Sequence, residues 1–388
     1  TDLVCTQGTL RCKMDEVCWD HLTAISELNK DLAGVAGVLV PAAPGVLGCS
    51  KGMDCKIRHC RKAVDGYLLA QIGTTTDPRN CEERQALVEV LSSGMLLALV
   101  DCLGTLDFEA QKDAARLFSA LLRLGTPTNM DAQIAAYVDD IPEVLEMLLE
   151  GLTVPDLALH CSQMLISCTK SAEIATVLLR GGAAPILIEL VQNPNFDIAS
   201  EAYSVLRELL LAQKPPAAKF LEANFDDFFS SFHTLLEVQN YFAQRQVLQL
   251  LVRMLLDQSF KDVMRRYVAN ERFLQIHMNF LQHDSNSMQI AAFHIFKIFV
   301  VIPQKSCRVR QILFRNKEKL LCLLDSFKSK AERGTGFARD LQVTLHELSR
   351  VEAPGRNPSA SRPEHARLVQ QAKQQGNVGH TSSKPPSC

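Results

Sequence analysis

Val247-Leu248-Gln249-Leu250-Leu251-Val252-Arg253-Met254-Leu255 can be laid without a gap over Ala202-Tyr203-Ser204-Val205-Leu206-Arg207-Glu208-Leu209-Leu210 and over Ala292-Phe293-His294-Ile295-Phe296-Lys297-Ile298-Phe299-Val300. The three segments begin 45 positions apart, at 202, 247 and 292. Ala114-Ala115-Arg116-Leu117-Phe118 and Cys161-Ser162-Gln163-Met164-Leu165 occupy equivalent places at less regular intervals. Apolar residues inside each segment recur at helical spacing, so each helix has a stripe it cannot bury alone. Stacking neighbouring copies buries those stripes, and a period near 45 matches the roughly 40–47 residues of armadillo and HEAT repeats. The predicted fold is all-α, an armadillo/HEAT-like right-handed helical-repeat solenoid. The competing reading is an ordinary helical bundle with coincidental spacing.

The surrounding stretch, Asn240 to Val300, reads as three amphipathic helices: one ending at Leu256, one from Phe260 to Phe280 and one from Ser285 to Val300. In the first, Leu248, Leu251 and Leu255 form a packing side, while Tyr241, Arg245, Gln249 and Arg253 follow one another at steps of four on a presenting side. Further out, Asp107 is expected to cap a helix from Phe108 to Leu124. Asp140-Ile141-Pro142-Glu143 has the signals of a helix start, with Gly151 at its end. Helical patterns continue from Pro155 to Ser349, and strand-like alternation is nowhere sustained. Residues 1–80 are expected to be divergent and partly disordered, with possible helices over Asp15–Leu32 and Val64–Ile72. Residues 81–350 form the repeat domain, and 351–388, rich in Pro, Ser, Gln, Arg and Lys, read as a disordered tail.

Composition narrows the function classes. The chain has 388 residues, 47% of them hydrophobic, and a formal net charge of −2, so no global field favours nucleic acid or an anionic membrane. No apolar run reaches the roughly 18 residues of a membrane span. Thirteen scattered cysteines, several of them (Cys102, Cys161, Cys168, Cys322) inside apolar helical patterns, suggest buried free thiols in a reducing compartment and hence a cytoplasmic protein. A zinc site at Cys49, Cys55, His59 and Cys60 is disfavoured by spacing, so no metal or cofactor is expected. Gly334-Thr335-Gly336 lacks the Lys-Ser/Thr of a phosphate loop, and neither a His-Glu-x-x-His helix nor a Gly-x-Ser-x-Gly elbow is present. His277 and His294 lie in apolar patterns and read as packing or hydrogen-bonding residues. An enzyme is not expected.

Several longer motifs carry a resemblance: Leu106-Asp107-Phe108-Glu109, Phe196-Asp197-Ile198-Ala199-Ser200-Glu201-Ala202, Phe225-Asp226-x-Phe228-Phe229, Asn240-Tyr241-x-x-x-Arg245-Gln246, His277-Met278-Asn279 and Ala292 to Val300. Together they resemble the mouse protein-25 family, also called calcium-binding protein 39, over about Leu87 to Leu324. The resemblance implies a non-catalytic scaffold, monomeric when unbound. Such scaffolds bind and allosterically activate serine/threonine kinases or pseudokinases of the STRAD, germinal-centre or NDR-network type. It also implies a pocket near the carboxy-terminal repeats for a Trp-Glu-Phe-type docking peptide. The residues it marks as partner-binding are Tyr241, Arg245, Phe260, Met278, Lys297 and Arg315. Tyr241 and Arg245 would offer an aromatic platform and a guanidinium, Met278 an adaptable apolar wall, Lys297 and Arg315 charge for an acidic group, and Phe260 a contact to the kinase body. Gln249, Gln258 and Gln275 stand where relatives carry basic residues, and the turn Asp257-Gln258-Ser259-Phe260 is one residue shorter, which weakens acidic-partner electrostatics. The alternative is a generic armadillo-type peptide-binding adaptor without kinase activation.

Overall fold

The computed structural model describes residues 95–125, 136, 138–140, 142–237, 240–330 and 336–353. The segments expected at Asp15–Leu32 and Val64–Ile72, the cluster at Cys49 to Cys60 and the tail beyond Ala353 lie outside the described residues. Among those described, every regular element is helical.

Two compact units divide the chain, the first running to Val263 and the second from Met264. The first holds α1 (Met95–Asp101), α2 (Phe108–Gly125), α3 (Glu143–Gly151), α4 (Pro155–Cys168), α5 (Ala172–Arg180), α6 (Ala183–Leu190), α7 (Phe196–Leu211), α8 (Lys214–Ala223), α9 (Phe225–Glu237) and α10 (Tyr241–Leu255). The boundary falls inside α11 (Lys261–Val268). The second unit continues with α12 (Glu271–Phe280), α13 (Asn286–Val301), α14 (Cys307–Arg315), α15 (Lys317–Ser326) and α16 (Gly336–Ser349).

Local chemistry sets the helix ends. Asp107 accepts a bond from Ala110 N at 2.8 Å, as its position before α2 predicts. Asn195 accepts from Asp197 N and Ile198 N at 2.9 and 3.3 Å, opening α7. Proline stands in the first turn of α4, where its missing N–H costs nothing. Gly182 adopts φ +78° between α5 and α6, a conformation only glycine takes cheaply. Gly151 serves a different need. A Cβ there would run into Cys161 Sγ, so the end of α3 can approach α4 only without a side chain.

Two expected boundaries change. The pattern from Phe260 to Phe280 is broken, because Asn270 takes an extended conformation and caps α12 by accepting from Arg272 N at 2.9 Å. A short 3-10 turn, Gln258–Phe260, precedes α11. At α3 the residue preceding the helix is Pro142, which makes no side-chain cap, while Asp140 already lies in a helical turn.

The repeat appears in the burial. Counting from Ala114, Cys161, Ala202, Val247 and Ala292, the first, second, fourth, fifth, eighth and ninth residues are buried in all five segments, and the third and sixth are not. That is the face of a helix packed on one side. It falls on α2, α4, α7, α10 and α13. In the first unit α4 packs against both α2 and α7, and in the second α13 packs against α12 and α16. Polar links also reach across nearly one repeat. Tyr203 Oη donates to Gln246 O at 2.9 Å, Gln213 Nε2 to Lys170 O at 2.5 Å and Lys214 Nζ to Asp257 at 2.7 Å, each spanning 43 residues. In the second unit Lys297 bonds Asp340, again 43 residues away. These links and the burial register establish a helical repeat of the armadillo/HEAT kind.

Phe229 and Phe232 in the first unit and Phe293, Phe296 and Phe299 in the second are fully buried. Each contributes about 1.5–3 kcal/mol of burial. Cys161 and Cys168 are buried free thiols pushed up to about 12 by desolvation, which leaves them unreactive. Cys322, expected to be buried, is exposed.

Candidate functional site

The presenting side of α10 emerges as the sequence pattern requires. Tyr241, Arg245, Gln249 and Arg253 are all exposed, while Val247, Leu248, Leu250, Leu251, Met254 and Leu255 are buried beneath them. Tyr241 leaves 46% of its surface open although it begins the helix. Tyr203 lies under this region, its hydroxyl bonded to the α10 backbone. Burial raises its pKa, and the Arg207 and Arg253 guanidiniums partly offset that.

The repeat register reveals a feature that motif reading missed. Phe108, Phe196 and Tyr241 each stand six residues before their segment's first buried position, at 114, 202 and 247. Each is the first residue of its helix, and Phe108 and Phe196 are 59% and 61% exposed. Phe196 and Tyr241 lie 45 positions apart, on the repeat spacing, whereas Phe108 lies 88 before Phe196. Beside Phe108 lies a cavity of about 550 Å³ lined by Pro155, Leu159, Asp156, Asp197 and Glu201. Ser162 donates a hydrogen bond to Glu201. The buried His160 ring supports Phe108 from 5.3 Å, and desolvation, with Lys112 nearby, lowers its pKa.

Of the other expected residues, Phe260 requires a correction. It is 0% exposed, buried where the 3-10 turn packs against α8 and α10, so its ring holds the turn and offers no surface to a partner. Met278 is half-buried on α12 and Arg315 exposed in the last turn of α14; these two helices pack on each other. Lys297 is half-buried and ion-paired with Asp340, so its charge is already matched. It borders an apolar cavity of about 410 Å³ with Met264, Val301 and Val343. His277 is a core residue, its Nε2 2.7 Å from Tyr267 Oη. His294 packs at the edge of Phe337, with its pKa lowered mainly by burial. Among the described residues no group of three or more His, Cys, Asp or Glu side chains is arranged to hold a metal, and no helix is long and apolar enough to cross a membrane.

The helical repeat, with aromatic and guanidinium side chains exposed on α10 above a closed core, places the chain in the class of all-α helical-repeat proteins. The family follows from comparison. A Mo25-like family model matches residues 55–352, reaching further at both ends than the motifs did. The chain is 33% identical over 264 residues to human calcium-binding protein 39-like, covering 68% of this chain and 78% of that one. It is 34% identical over 310 residues to MO25-like protein 2 of Caenorhabditis elegans, covering 77% and 90%. The figure is 32% over 263 residues for the Mo25-like protein of Schizosaccharomyces pombe, covering 68% and 79%. The chain belongs to the Mo25-like family, a family of scaffold proteins.

Proposed function

We propose that this chain is a cytoplasmic, non-catalytic scaffold that binds a serine/threonine kinase or pseudokinase and stabilises its active conformation. The observation that carries the reading is the α10 ridge. Four side chains one turn apart stay exposed on a helix whose other face is sealed, and two of them, Tyr241 and Arg245, are the residues that the family resemblance marks. An aromatic ring with a neighbouring guanidinium suits a partner surface that is partly apolar and partly acidic. On the second unit, Met278 and Arg315 supply the apolar and cationic elements for a Trp-Glu-Phe-type peptide. Lys297 contributes only if its bond to Asp340 yields.

Activation requires unequal affinity. A scaffold that raises the active fraction tenfold must bind the active state at least about tenfold tighter, about 1.4 kcal/mol. The test adds the purified chain to a germinal-centre kinase and measures phosphorylation, then repeats it with Arg245→Ala and Tyr241→Ala. Activation that both substitutions reduce supports the reading; activation untouched by either overturns the role of the ridge. In parallel, Met278→Ala and Arg315→Ala should each weaken capture of a peptide ending in Trp-Glu-Phe. The carboxylate-lined cavity beside Phe108 favours a second reading, an adaptor for an extended basic peptide without kinase activation. Peptide capture with no change in kinase rate would select it.

A further inference from the structure

Independently of the kinase reading, a basic cleft in the second unit has a chemistry that the α10 ridge does not use. Lys305, on the turn after α13, Arg310 on α14 and Arg350 just beyond α16 line one cavity of about 610 Å³, with Pro303 at its edge. The three cations come from separate parts of the sequence, and local bonds hold their supports. Lys305 Nζ donates to Ile302 O at 2.7 Å, which fixes the turn. Lys317 Nζ bonds the carbonyl of Ser349 and, at 3.3 Å, that of Val351, which pins the backbone on either side of Arg350.

The cations are incompletely matched. Arg310 Nε is shielded from solvent with no hydrogen-bond acceptor. An unpaired buried donor is costly, more so on a charged group. Lys305 is half-buried, and burial, with Arg310 adding to it, holds its ammonium below the usual lysine range despite Glu347. Arg350 stands 3.7 Å from Glu347, a loose exposed pair. An anion entering here would lie against the outer part of the Arg310 guanidinium and screen its charge from that of Lys305.

The geometry points to a binding site for a phosphate monoester carried on a peptide, held by Arg310 and Arg350 with Lys305 behind them. A phosphate offers several acceptors to planar guanidiniums, and two arginines with one lysine outnumber the two carboxylates of the lining. Glu347 and Glu352 lie in the same wall, which disfavours a uniformly anionic lipid surface and suits a peptide whose amides can donate to them. Among the described residues no aromatic ring lines the cleft, so a base finds none of them to stack on.

The test measures fluorescence anisotropy of a labelled Ala-Ala-phosphoserine-Ala-Ala peptide on the full chain. Its controls are the unphosphorylated peptide and phosphatidylcholine vesicles carrying phosphatidylinositol phosphate. The expected result is saturable binding of the phosphopeptide at least about tenfold tighter than of its control. Arg310→Gln should weaken it about tenfold and Arg350→Gln several-fold, with melting temperatures unchanged. Equal affinity for the two peptides, full binding by Arg310→Gln, or binding to vesicles alone overturns the proposal. Should Arg310→Gln fail to fold, the Arg310 Nε–H resonance of the unaltered chain decides: displacement by the phosphopeptide supports the site, and a signal unmoved at saturating phosphopeptide overturns it. Neither outcome depends on kinase activation.

Discussion

Tyr267→Phe removes one oxygen from the interior and leaves the shape of the ring in place. Tyr267 and His277 are both 0% exposed, and their polar atoms meet at 2.7 Å. The ring itself is held by Phe273 at 4.6 Å and Phe299 at 6.1 Å, contacts that phenylalanine can keep. What changes is that His277 Nε2 loses a partner in a site shielded from water. Removing one side of a buried hydrogen bond costs about 1–3 kcal/mol, so the substitution should destabilise the second unit by about 2 kcal/mol. Native-state hydrogen exchange read by mass spectrometry over α11 and α12 should show protection reduced by about thirtyfold, since each 1.4 kcal/mol is a factor of ten. Combining it with His277→Leu should cost less than the two changes summed, with a coupling energy of about 1 kcal/mol or more. Exchange within about threefold of the unaltered chain, together with a coupling below about 0.5 kcal/mol, would refute the argument that this bond holds α11 to α12.

Other outcomes can be checked separately. Burial holds the His233 imidazole down to about 4 from 6.5. The folded chain leaves it neutral where the unfolded chain takes a proton, so stability is whole above about pH 6.5 and falls by up to about 3 kcal/mol toward pH 4. His233→Gln should therefore reduce by about one proton the slope of stability against pH across that window, measured by urea titration at several pH values. Gly151→Ala should cost about 1–3 kcal/mol, because the new methyl meets Cys161 Sγ. Adding Cys161→Ala should recover part of that loss in thermal melts. Asn195→Ala should lose about 1 kcal/mol by leaving Asp197 N and Ile198 N without their acceptor. The loss should appear as faster exchange in the first turn of α7.

Sequence periodicity carried most of the architecture because packing obeys it. The residues aligned at 202, 247 and 292 share one burial pattern, and the line from Tyr241 to Arg253 is exposed as its four-residue step requires. Ala269-Asn270 was missed because Phe273, Ile276 and Phe280 continue an apolar rhythm across it, whereas the break depends on one capping side chain. Phe260 was misplaced for another reason. An apolar residue in a turn has no period to tell which way it points, and the 3-10 geometry turns it inward. The cleft at Lys305, Arg310 and Arg350 left no local trace, since its members lie up to 45 positions apart and each alone looks like a solvated charge.

The 43-residue links from Tyr203, Lys214 and Lys297 bear on how such a chain is assembled and varied. Each closes a loop of the same size, so the entropy lost on joining its ends is nearly the same at every step. No bond among these ties remote ends of the polypeptide together, and ordering can spread from whichever module forms first.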